Sequence, residues 1–134
     1  MTAAILDTNA ISDLMRDQSQ LRANVARHTD RIVTSVVVIG EIRYGLDRLT
    51  PGKKRDELEA RARTILVGLA IEPISQRIAD TYGSLKASLE QQGLRLGDND
   101  LWIAATALTL NGILVTRDRI FSHIPGLQVA DWSV

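Results

Sequence analysis

The sequence predicts an α/β protein: a three-layer α/β/α sandwich around a mostly parallel sheet of about four or five strands. Two observations carry that prediction. Short apolar runs rich in β-branched residues, at 3–6, 31–35 and 113–116, alternate with longer segments whose apolar residues recur every three or four positions. Such alternation marks βαβ crossovers that cover both faces of a parallel sheet. In addition, no linker, repeat or low-complexity tract interrupts the 134 residues, of which 45% are hydrophobic. Residues 1–134 therefore read as one domain, large enough to bury a core without disulfides or a structural metal.

The elements follow in order. Residues 3–6 are apolar and end in Asp7-Thr8-Asn9, after which Ile11, Leu14 and Met15 recur at helical spacing: strand, turn, helix. Leu21 and Val25 define a second helix. Arg31-Ile32-Val33-Thr34-Ser35 is strand-like, and Val38, Ile42, Leu46 and Leu49 then set a helix for which Ser35 is a candidate N-cap. Propensity leaves residues 36–39 open between the two states, and the later periodicity favours helix. Thr50-Pro51-Gly52 breaks the chain before a long charged helix with Leu58, Ala62, Ile65, Leu66 and Leu69 on one face. Ile71-Glu72-Pro73-Ile74 allows only a minor strand, and Ser75 then caps a helix with Ile78, Tyr82, Leu85 and Leu89 inward, ending at Gly93. Gly97-Asp98-Asn99-Asp100 opens a helix whose apolar residues run nearly all round its axis, so a central, buried element is expected, ending at Asn111-Gly112. Ile113-Leu114-Val115-Thr116 is a buried strand in pattern, and Leu127-Gln128-Val129-Ala130 is a fifth candidate.

Composition removes several classes of function. With no cysteine there is no disulfide, thiolate metal site or cysteine nucleophile. The first residues lack a basic leader and reach Asp7 too early for a signal peptide, and no apolar run is long enough to span a bilayer; a cytoplasmic location is expected. Basic and acidic residues number 16 each, so no global field attracts nucleic acid, although a local basic rim would suffice. Net charge near zero also favours self-association. His28 and His123 form no acid–base pattern, which argues against metal-free cleavage through a ribose 2′-hydroxyl; His28 is expected on a helix surface. P-loop, serine-hydrolase elbow and zincin motifs are all missing from the sequence.

Active sites of open α/β sheets lie beyond the carboxyl ends of the strands, and four acids fall there. Asp7 directly follows the first strand and Asp118 follows the 113–116 strand, while Glu41 lies about one turn into the helix after the second strand and Asp100 in the first turn of the buried helix. Each also has an ordinary reading. Asp7 can be an Asx-turn or N-cap, Asp100 can simply favour the helix dipole, and Asp98 is as good an N-cap. Asp118 can be turn chemistry, and Glu41, set among apolar neighbours, can pair with Arg43 or Arg48. Together, four carboxylates meeting at one sheet edge would repel unless neutralised by a cation. Magnesium or manganese, which prefer oxygen ligands and suit phosphate substrates, are the natural choice. Such a site can direct water at phosphorus, with 5′-phosphate and 3′-hydroxyl products expected.

With these residues identified, the sequence resembles the PIN-domain superfamily, and within it the VapC toxins. The resemblance is carried by Leu6-Asp7-Thr8-Asn9; Thr34-Ser35-Val36-Val37 leading to Gly40-Glu41-Ile42-Arg43-Tyr44-Gly45; Gly97-Asp98-Asn99-Asp100-Leu101-Trp102-Ile103-Ala104-Ala105; Leu114-Val115-Thr116-Arg117-Asp118; and Ile124-Pro125-Gly126-Leu127 before Asp131-Trp132. It implies a PIN-like fold in which Asp7, Glu41, Asp100 and Asp118 form a catalytic, metal-binding pocket for Mg2+ or Mn2+, with Thr8, Asn9 and Thr116 orienting the acids. Asp100, immediately before Leu-Trp-Ile-Ala-Ala, matches the third acid, and the loop after Asp118 is a residue shorter than the family pattern. The resemblance further implies a toxin that cleaves structured RNA such as tRNA or ribosomal RNA, a VapB-type antitoxin that silences it, and a homodimer. An antitoxin helix or tail would need an apolar groove, for which the helices carrying Leu46, Leu49 and Leu58 are candidates, although core is the commoner role for such residues. Lys53-Lys54-Arg55 could meet RNA phosphates or be a solvated helix start. Alternatives are a PIN-type nuclease of RNA processing, a catalytically idle PIN-like binding module, and a phosphotransfer domain; a haloacid-dehalogenase-like phosphatase would normally place a second Asp where Asn9 stands.

Overall fold

The computed structural model describes residues 2–28 and 31–134. Its elements run β1 (Ala4–Leu6), α1 (Thr8–Met15), α2 (Ser19–Arg27), β2 (Ile32–Ser35), α3 (Val36–Asp47), α4 (Lys53–Val67), β3 (Ala70–Glu72), α5 (Gln76–Gln91), α6 (Asp98–Thr109), β4 (Ile113–Val115), a 3-10 turn (Arg119–His123) and β5 (Gln128–Ala130). The five strands form one sheet in the order β3-β2-β1-β4-β5. Every neighbouring pair is parallel, with Leu6 opposite Thr34 on one side and Val115 on the other. Helices flank this sheet, as the alternating pattern predicts: α1 packs on α2, α3 and α4, while α5 runs along α6.

β1 is the centre in both senses. Ala4, Ile5 and Leu6 are fully buried, as a strand covered on both faces must be. From β1 the chain first builds outward through β2 and β3, then returns to the other side for β4 and β5. The loops leaving β1 and β4 therefore diverge to opposite directions, opening the crevice that such sheets use for ligands.

Local chemistry agrees with this topology. Ser35 Oγ accepts from the Val37 amide at 3.0 Å, so the cap ends β2 and starts α3 at once, which places residues 36–39 in helix. Ser75 caps α5 in the same way, through the Ile78 amide at 3.2 Å. In α6 the buried residues include Leu101, Ile103, Ala104, Ala105 and Ala107, the central element expected. Its N-cap is Gly97 rather than Asp98, which is the first helical residue. His28 departs from its expected surface position: it ends α2 with its ring half-buried 5.1 Å from that of Trp132. Trp132 draws it inward because the segment after β5 folds back over α2, where Asn24 donates to the Trp132 carbonyl at 2.8 Å. Lys53 and Lys54 are a solvated helix start, and Arg55 turns back to Asp47 at 3.2 Å. Among the described residues no helix is long and apolar enough to cross a membrane.

The turn from α6 into β4 depends on a missing side chain. Asn111 takes φ 52°, and Gly112 then passes so close to β1 that a Cβ there would lie 2.4 Å from Ile5 Cδ1 and 2.6 Å from the Ala3 carbonyl oxygen. Since that carbonyl accepts the Ile113 amide at 2.9 Å, it cannot retreat without opening the β1–β4 pairing, and the Ile5 side chain would have to repack within the core. Gly112→Ala is expected to lower stability by about 1–3 kcal/mol, as overpacking does. Urea unfolding checks this, and an unchanged midpoint would show that the turn tolerates a methyl group.

Candidate active site

Asp7 follows the last residue of β1, and its backbone extends the ladder by donating to the Val115 carbonyl at 3.2 Å. The side chain is only 3% exposed. It accepts from the Ala10 amide at 2.8 Å, capping α1, so the ordinary N-cap reading and a site role hold for the same carboxylate. Burial pushes its pKa up to about 6; the Thr116 hydroxyl and the Ala10 amide act against that shift, and the nearby charges of Asp100 and Asp118 add to it. A carboxylate that resists ionisation at the end of a central strand is a departure from simple capping.

Asp118 leaves the adjacent strand. Its amide donates to Thr116 Oγ1 at 3.0 Å, and its carboxylate accepts from Ile120 at 3.1 Å, capping the 3-10 turn. Turn chemistry is therefore part of its role. Thr116, 3% exposed, joins the two acids, since the hydroxyl that receives the Asp118 amide also reaches Asp7.

Glu41 comes from the second turn of α3 and is half-buried. Neither Arg43 nor Arg48 pairs with it: Arg43 engages Asp47 and Glu59, and Arg48 lies over the Tyr44 ring. Instead Thr8, the first residue of α1, donates its hydroxyl to Glu41 Oε1 at 2.5 Å. One side chain thus ties the cap region of α1 to α3 and orients the carboxylate.

Asp100, in the first turn of α6, has its pKa raised by burial first, then by the charges of Glu41 and Asp118. Asp98 belongs elsewhere. It is exposed and accepts from Tyr82 Oη at 3.0 Å and Lys86 Nζ at 3.2 Å, interactions that hold its carboxyl below the usual range. The two acids differ because helical geometry turns residues two apart to different faces: Asp98 faces α5, Asp100 the other acids.

All four acids therefore feel one another through Asp7 and Asp100. Among the described residues, no three acidic or histidine side chains are gathered closely enough to enclose an ion by themselves. The donor set still fits a hard cation, because it offers only oxygen and its buried members resist carrying charge together. Magnesium is usually held through one or two carboxylates with waters completing its shell, so a closed cage is not required. Arg117 stands beside the acids without a sequence motif of its own. It donates to Asp13 at 2.9 Å and is close enough to Asp7 for their charges to interact; its place between Thr116 and Asp118 was the available signal.

Beside the acids lies a groove of about 790 Å3, lined by Thr8, Glu41, Leu49, Asn99 and Trp102 among others. Leu46 and Leu58 also border it but are 5% and 6% exposed, so core is their main role. A second hollow of about 340 Å3 is formed by Glu41 and residues 97–100. Glu41 thus stands where the groove meets the acids.

Comparison with known proteins agrees with this architecture. The PIN domain family matches residues 4–127. Ribonuclease VapC2 of Rickettsia felis is 35% identical over 102 residues, 75% of this chain and 74% of that protein. Ribonuclease VapC1 of Haemophilus influenzae strain R2866 is 33% identical over 134 aligned positions, covering 96% of this chain and 97% of that one. In the crystal structure of VapBC2 from Rickettsia felis bound to a DNA fragment from their promoter, the matching chain superposes with a TM-score of 0.89 at 30% identity, covering 98% of this chain and 99% of that one.

The raised pKa of Asp7 has a consequence for stability. The folded state holds this proton more tightly than the unfolded chain, so stability contributed below pH 3.8 is lost as pH rises through about 6. Asp7→Asn keeps a capping side chain without the charge. In chelator at pH 7 it is expected to stabilise the fold by up to about 3 kcal/mol, an advantage that shrinks to nothing below pH 4. Thermal unfolding at the two pH values checks this, and a destabilised variant at pH 7 would contradict it.

Proposed function

This chain belongs to the PIN-domain family, in its VapC branch, and from that premise we propose that it is the toxin of a toxin–antitoxin pair, a metal-dependent endoribonuclease acting through Asp7, Glu41, Asp100 and Asp118. One observation carries the reading: a buried carboxylate at the end of the central strand is pressed by the charges of two further acids, from α6 and from the loop after β4. Such an arrangement is costly for folding and useful for chemistry. The homologous ribonucleases support the reaction class.

The four acids would hold magnesium or manganese, which when bound would neutralise their mutual repulsion, ease deprotonation of the attacking water and stabilise charge on the phosphate. The protein's own contributions are positional. Thr8 holds Glu41, Thr116 holds Asp7 and anchors the loop of Asp118, and the α6 backbone sets Asp100 at the same edge. One of these carboxylates would accept the proton of a water attacking phosphorus in line, while the bond from phosphorus to the 3′ oxygen would break and that oxygen would take up a proton from solvent, leaving 5′-phosphate and 3′-hydroxyl ends. The substrate is a structured RNA, tRNA or ribosomal RNA, and the work is done in the cytoplasm by this one domain, paired with a second copy of itself.

Silencing requires a VapB-type partner, a proposal supported by the VapBC complexes among the structural neighbours. The groove ending at Glu41 offers such a partner apolar surface beside the acids. Four acids at one edge argue against an idle binding module.

Purified free of any partner, the chain is expected to cut structured RNA in magnesium or manganese and to stop on chelation. Asp7→Asn and Glu41→Gln should each lower the rate at least about a hundredfold, a loss of roughly 3 kcal/mol in transition-state stabilisation; end-labelled RNA on a denaturing gel reads both. Thr8→Val, which frees Glu41 without removing it, should cost about tenfold and leave RNA affinity unchanged. Undiminished cleavage by Asp7→Asn would exclude this mechanism.

A further inference from the structure

Trp102 is the residue of the groove that the nuclease chemistry leaves unused. It lies two residues after Asp100 on α6, half-buried, and shares the groove with Thr8, Glu41 and Asn99. Its ring is stacked on that of Tyr82, with centroids 3.8 Å apart and planes within 9°. Tyr82 is itself fixed, because its hydroxyl donates to Asp98 at 3.0 Å and Lys86 sits 5.7 Å from its ring centre. The indole is thereby a braced, flat surface rather than a free side chain. Two arginines, Arg16 and Arg48, also line the groove, and neither is ion-paired with an acid among the described residues. Aromatic platforms interleaved with unpaired cations are what single-stranded nucleic acid needs, stacking for bases and charge for phosphates.

We propose that Trp102 is a base-stacking residue, taking one unpaired nucleobase of the RNA beside the phosphate presented to the acids, with Arg16 and Arg48 meeting phosphates further along the groove. The idea rests on the nuclease reading and adds to it the residue that would hold an unpaired base. A paired base, with both faces covered by its neighbours, offers no face to the indole. Asn99, exposed at the same end of the groove, supplies an amide able to hydrogen-bond the edge of the stacked base.

The test uses the full chain with Trp132→Phe, which leaves Trp102 as the sole tryptophan, since the sequence has two. Binding to an RNA hairpin with an unpaired loop is followed in chelator by tryptophan fluorescence, with the same hairpin carrying abasic loop positions as the comparison. The expected result is quenching by the intact loop and about 5- to 150-fold weaker binding of the abasic loop. Trp102→Leu should bind both RNAs as weakly as the parent binds the abasic one, and Trp102→Phe should restore most of the difference. The abasic comparison needs no substitution at Trp102, so a folding defect cannot mask the answer. Equal affinity for intact and abasic loops, without quenching, overturns the proposal. So does a Trp102→Leu chain that loses only its protein partner and keeps its RNA preference, which would make the indole a partner contact. Cleavage in magnesium is measured in parallel: quenching and abasic sensitivity without cleavage would sink the nuclease reading and leave the base site, whereas cleavage indifferent to loop bases would do the reverse.

Discussion

The arrangement depends on keeping a carboxylate, Asp7, out of water at the end of the central strand. Its burial opposes ionisation, and Asp100 and Asp118 oppose it further. Only a rigid frame can hold like charges together, and the sheet supplies it: β1 lies between β2 and β4, with three apolar residues of zero exposure anchoring the strand beneath the acid. An isolated turn bearing the same acids would splay apart. The parallel ladder prevents this by fixing the carboxyl ends of β1 and β4 side by side.

Two threonines convert that frame into orientation. Thr116 receives the Asp118 amide and reaches Asp7, and Thr8 holds Glu41 across from α1 to α3. Each is a short, stiff side chain next to an acid or across from one, so it restricts the carboxylate with little entropy of its own. The ordinary roles of these acids as helix and turn caps coexist with the site. A cap fixes the carbon skeleton of Asp7 and of Asp118 while leaving acceptor capacity on each carboxylate for another ligand.

Much of this was legible in one dimension. Parallel strands buried on both faces read as continuous apolar runs, and β1 and β4 were visible for that reason; Ser35 and Ser75 announced their helices because a hydroxyl at the start of an apolar period satisfies free amides. The edge strand β3 was faint because Ile71 is exposed and the strand pairs on one side only. His28 reads as a surface residue in the sequence because the packing partner that draws it inward, Trp132, lies far along the chain.

The sequence by itself determined the alternation of strands and helices, the four acids that are candidates for the site, and the resemblance to the PIN-domain family. These are local or ordered properties, and spacing records them. Only the tertiary structure turned Asp98 toward Tyr82 and Lys86, gave Glu41 to Thr8 rather than to an arginine, and laid Trp102 flat against Tyr82 beside the groove. Those outcomes depend on which face of α6 meets α5 and on how α1 approaches α3. Such angles between packed elements are set by side-chain interlocking over the whole core, which no window of sequence contains.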